Sequence, residues 1–157
     1  MLLQFFTWIE NTSVGEAIRG SLWLFPVIES FHLLALAVIG GAILIVDMRL
    51  FGVILPGQPV RQLARDAQPF LVGSLIVMLI SGVLLFTSEA TKCYDHDAFW
   101  VKMACLAAAI LFTFTVKRRV TNAGDGGVNP RWNKIVAVVS VALWSGVGIG
   151  GRWIGFS

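Results

Sequence analysis

Two side chains, His32 and Lys102, lie inside stretches apolar enough to cross a bilayer. A charged group at mid-depth there costs roughly 2.5–3.5 kcal/mol, so such residues are retained mainly where they are used. Neutral imidazole is a standard axial ligand for haem iron, which makes His32 the candidate metal ligand. Glu29 stands one turn before His32 on the same helix face, nearer the membrane boundary. Lys102 and Arg152 fall about one turn in from that same boundary, so four ionisable groups are expected to converge on one half of the molecule. For Glu29, Lys102 and Arg152 the plain account is mutual neutralisation, with long stems reaching the interface. Gly40 lies about 80° around the helix from His32 and a little over two turns away, where it and Gly41 leave room beside the imidazole for a flat ring.

The elements that must position these groups follow from composition. Of 157 residues, 57% are hydrophobic and 13% charged, with a mean hydropathy of +0.80, which is too apolar for a soluble domain of this size. Four apolar stretches, 21–46, 70–87, 98–116 and 135–153, each approach the ~20 residues that a ~30 Å hydrocarbon core requires. The expectation is an all-α integral membrane four-helix bundle, one domain over 1–157, with any chemistry built between helices or at their ends. Ahead of it, Leu2, Phe5, Phe6 and Ile9 recur at helical spacing and predict a short interfacial helix, retained because no basic start or small-residue cleavage site precedes Glu10.

Lysine and arginine are concentrated between helices one and two and between three and four: Arg49, Arg61, Arg65, Lys117, Arg118, Arg119, Arg131 and Lys134. The positive-inside rule puts that side in the cytoplasm and both termini outside. The net charge of +3 is then explained by topology and anionic lipid, with no nucleic acid required. Pro- and Gly-rich runs at 55–59 and 122–130 mark the two cytoplasmic loops.

The remaining signals are quieter. Glycine and serine in helices one, two and four, including the pair Gly146 and Gly150, suit close helix packing. Cys93, in a loop, and Cys105, in the third stretch, lack the spacing of a zinc, thioredoxin-like or c-type haem site. Tyr94-Asp95-His96-Asp97 reads as a solvated loop before it reads as a metal cluster. Trp23, Trp100, Trp132 and Trp153 fall at helix ends, as aromatic belts do. No catalytic triad, phosphate loop or nucleotide fingerprint is present.

Phe31-His32-Leu33-Leu34, then Gly41 and Arg49-Leu50-Phe51, resembles the first helix of the HemJ-type membrane protoporphyrinogen oxidases. Phe99-Trp100-Val101-Lys102 resembles the segment with that family's intramembrane lysine, and Pro130-Arg131-Trp132-Asn133-Lys134 its entry to the last helix, although Lys134 stands where the oxidases have glutamate. The wider superfamily takes in copper-resistance D-type membrane domains. Through Asp47-Met48-Arg49-Leu50-Phe51-Gly52 and the segment from Gly151 the chain is more similar still to a family of small bacterial membrane proteins of unknown function. The resemblance implies a bacterial inner-membrane protein with a b-type haem held by His32. It makes Lys102 a second ligand or the partner of a propionate.

The function so implied is electron transfer or porphyrin-linked redox chemistry, as a small membrane oxidoreductase or a cytochrome-like subunit with a redox protein or quinone as partner. Membership of an oligomer or larger complex would suit the glycine-rich last helix. The rival reading is a cofactor-free accessory or scaffold subunit whose polar residues form an ion-pair network. Solute or copper transport is disfavoured, because no His/Met relay crosses from face to face.

Overall fold

The computed structural model describes residues 1–156, with side chains to Trp153; all its regular elements are helices, with no strand among the described residues. Two short helices, α1 (Leu2–Glu10) and α2 (Ser13–Gly20), precede the long α3 (Leu24–Phe51) and α4 (Val60–Ser88). After α5 (Ala90–Asp95), α6 (Asp97–Phe112) runs through a π-helical turn (Thr113–Lys117) into α7 (Arg118–Ala123), and α8 (Pro130–Phe156) completes the bundle. Four continuous helical segments are long and apolar enough to span a membrane: Leu24–Phe51, Val60–Ser88, Asp97–Ala123 and Pro130–Trp153. The chain is a multi-pass membrane protein built as an all-α four-helix bundle.

The helices are bounded by caps rather than by hydropathy. The Ser21 hydroxyl accepts from the Leu24 amide at 3.2 Å, so α3 begins at Leu24 instead of at 21. At its other end Gly52 takes the left-handed conformation (φ 82), with Gly52 N–H bonded to the Arg49 carbonyl and Val53 N–H to that of Met48. This is a Schellman cap, and it carries α3 five residues beyond the expected end. The start of α4 is capped from far away in sequence: Asp125 accepts the Val60 amide at 3.1 Å and pairs with Arg49 at 3.0 Å. One carboxylate thus ties the two basic loops together, and Arg61 and Arg65 lie on α4 rather than in a loop.

Two apolar clusters fill the bundle. One gathers Ala35, Ile39, Ile43, Leu75, Met78, Leu106, Ala109, Trp144 and Val147; the other, nearer the basic loops, gathers Val46, Leu50, Val60, Leu63, Val120, Val136 and Ala137. Much of the outer surface is Leu, Ile, Val and Phe, as a lipid-facing surface must be.

The N-terminal segment forms a helical pair, not a single helix, with Thr12 capping α2 through the Gly15 amide. It docks on the end of the bundle where α4 closes and α6 opens. Phe6 is buried there with ring centroids 5.2 Å from Phe86 and 5.3 Å from Tyr94. Glu10 pairs with Arg19 at 2.8 Å and accepts from the amide and hydroxyl of Thr91, while Arg19 reaches the Ser88 carbonyl. A Cβ at Gly15 would come within 2.5 Å of the Thr87 carbonyl oxygen, so this contact is backbone against backbone.

Burial raises the Glu10 carboxyl, but the Thr91 hydrogen bonds and the Arg19 guanidinium outweigh it and hold the group below its usual 4.5. A depressed carboxyl stabilises the docked state above its unfolded pKa and ceases to do so as pH falls through the folded value. Hydrogen-exchange protection factors over residues 2–20, corrected for intrinsic rates, should therefore fall as pH drops below about 4.5. Glu10→Gln should show low protection at every pH. A wild-type profile flat in this range would contradict the assignment.

Candidate functional site

His32 is half-buried on α3 and faces α4, where its Nδ1 lies 2.9 Å from the Ser81 hydroxyl. The Ser81 Oγ also lies within donating distance of two carbonyls of its own helix, Val77 at 2.7 Å and Met78 at 3.2 Å. With its proton on its own helix the hydroxyl accepts from Nδ1–H, one of the two tautomers this contact allows. Neutral imidazole in this arrangement keeps its lone pair on Nε2. A Cβ at Gly82 would sit 3.2 Å from His32 Cε1, so glycine is what lets the ring lie against α4.

Lys102, on α6, is half-buried against α8. A Cβ at Gly150 would stand 3.1 Å from the Lys102 Cβ, and one at Gly151 3.4 Å from its Nζ. The glycines of α8 thus form the bed on which the lysine stem lies, and Gly146 does the same for the Cys105 sulfur.

The other expected members are placed differently. Glu29 is exposed and makes no ion pair among the described residues. Arg152 is exposed near the end of α8. Gly40 is half-buried and Gly41 exposed, and a Cβ at either would meet nothing within 4 Å. The close approach beside His32 is made by Gly82, and Gly40 and Gly41 border open space. Cys93 lies in α5 rather than in a loop, and burial, followed by the Glu89 carboxylate, pushes its thiol up and away from the thiolate form.

A second polar site lies deeper, and Lys117 is its surprise. Instead of a loop cation it is 4% exposed, inside the π turn, with Nζ 2.7 Å from the Asp47 carboxylate. Asp47 is wholly buried on α3. Lys117 also donates to Ser140 of α8 at 3.1 Å and to the Ile43 carbonyl at 3.4 Å, while Trp144 donates to Thr113 at 3.1 Å and pins the start of the turn. Three helices therefore meet on one ion pair between the two apolar clusters. The extra residue of a π turn displaces the Lys117 stem inward from the basic run it shares with Arg118 and Arg119. The signal available in the sequence is Asp47 itself, an acid directly at the end of the first apolar stretch.

The model of a family of unknown function, DUF6644, matches residues 5–157. The chain belongs to that family. No curated protein and no solved structure matches it. Since the DUF6644 match runs from α1 to the end of α8, it takes in the docked N-terminal pair, the His32 and Lys102 positions and the Asp47–Lys117 pair alike.

Proposed function

We propose that this protein binds haem b in the bacterial inner membrane and serves electron transfer or porphyrin-linked redox chemistry as a cytochrome-like subunit. The observation that carries this reading is the His32–Ser81 hydrogen bond: with Nδ1 as the donor, Nε2 is the ligating nitrogen, and the partner fixes ring orientation. The donor set also suits haem better than a metal held by side chains alone. Among the described residues no three His, Cys, Asp or Glu come together, whereas a porphyrin supplies four nitrogens and asks the protein only for axial ligands.

When bound, the iron would supply one-electron redox chemistry. His32 would hold it, and the surrounding apolar helices would exclude water. Lys102, on its glycine bed, serves as the cation for a propionate, because a lysine about one turn from the boundary keeps its proton more cheaply than it gives it up to bind iron. Lys102→Met should accordingly leave the absorption spectrum nearly unchanged while haem is lost more readily on washing. A pronounced spectral change in Lys102→Ala at full haem content would make Lys102 an iron ligand instead.

The basic loops, tied by Asp125, face the cytoplasm in this reading, and both termini face the outside. An alkaline phosphatase fusion after the C-terminus should be active, and one inserted within residues 124–129 inactive. The reverse pattern would invert the orientation. The function itself is tested by the spectrum of protein purified in mild detergent after haem-replete expression. A Soret band that shifts on dithionite reduction is expected, and a colourless protein would remove the proposal.

A further inference from the structure

A cavity of about 270 Å³ opens between α3, α4 and the π turn with α7, on the basic-loop half of the bundle. Two helix irregularities border it. Pro69 inside α4 removes an amide and frees the carbonyl of Arg65, and the π turn on the facing segment holds the chain away from regular packing. Its wall carries Ile43, Leu71 and Phe114 beside four cations: Arg61, Arg65, Lys117 and Arg118.

Arg61 and Arg65 are one turn apart on α4, and Arg118 comes from α7 opposite, so the charge converges from two elements. Lys117 is balanced by Asp47, but the three arginines make no ion pair among the described residues. The positive-inside bias accounts for arginines on this half of the molecule, not for their gathering around one cavity.

We infer that this cavity binds a phosphate group, with the guanidinium forks of Arg61, Arg65 and Arg118 as its donors and the apolar wall accommodating what the phosphate is attached to. Guanidinium matches phosphate in a bidentate geometry that lysine lacks. The phosphate comes from an anionic lipid headgroup or from a soluble phosphate, and the two are separable.

The protein, reconstituted in phosphatidylcholine nanodiscs with or without phosphatidylglycerol, is examined by native mass spectrometry for retained lipid. In detergent it is also melted with inorganic phosphate against chloride at equal ionic strength. The variants are Arg61→Gln/Arg65→Gln and Arg118→Gln, with Arg131→Gln, an exposed arginine outside the cavity, as control.

Preferential retention of phosphatidylglycerol, reduced about tenfold or more in the cavity variants and unchanged in the control, supports the lipid source. Stabilisation by inorganic phosphate with the same variant pattern, and no lipid preference, supports the soluble source. Absence of both effects, or an equal loss in Arg131→Gln, overturns the inference.

Discussion

Replacing Lys117 by methionine should destabilise the protein by about 3–5 kcal/mol, the cost of leaving one member of a buried ion pair uncompensated. Asp47 is wholly buried, and its neighbours Val46 and Leu50 belong to the apolar cluster nearer the basic loops, so removing Lys117 leaves a buried carboxylate without its ion-pair partner. Asp47→Leu should cost a similar amount, since Ser140 and the Ile43 carbonyl can accept from the ammonium but carry no full charge. The double variant Asp47→Leu/Lys117→Met should recover most of the loss, because apolar groups of similar volume dispense with both desolvation penalties. Unfolding in detergent, analysed as a double-mutant cycle, measures the coupling directly. Single variants that each cost less than about 1 kcal/mol would mean that the pair is solvated and not the element that fixes α3, the π turn and α8 in register.

The second large effect is expected at His32. His32→Ala should lose the haem while the bundle still inserts and folds. The imidazole is hydrogen-bonded to Ser81, which keeps carbonyl partners on its own helix, and the main apolar clusters do not include it. Removing it leaves no buried donor without a partner, so the structural cost is small beside the functional one. Gly82 gives a graded version of the same result: a larger side chain there must push the ring off α4, since even a Cβ stands 3.2 Å from Cε1. Gly82→Val should therefore weaken haem retention without removing the ligand.

The two sites differ in how far the sequence could disclose them. Four spans follow from apolar length alone, and the helical repeat of Leu2, Phe5, Phe6 and Ile9 does mark a helix. The ends of the spans do not follow, because the cap of α4 comes from Asp125, 65 residues away, and hydropathy cannot register a hydrogen bond. His32 and Lys102 stood out because each is an ionisable or ligating residue alone among apolar ones. Lys117 did not, because it precedes Arg118 and Arg119 and looked like part of a topogenic basic run. Only the π turn separates it from them, and a π turn has no pattern in hydrophobic periodicity. Gly40 and Gly82 show the same limit from another side. Both are glycines in apolar helices, and which of them meets His32 depends on how α3 and α4 are rotated against one another, a matter of packing rather than of spacing.

The most direct test of the account is haem stoichiometry by pyridine haemochrome, measured on the wild-type protein and on His32→Ala purified side by side in mild detergent. With Nε2 of His32 as the ligating atom, the wild type should carry haem b and the variant essentially none at equal yield of folded protein. Wild-type protein without haem, or a variant that retains it in full, would contradict the assignment of His32.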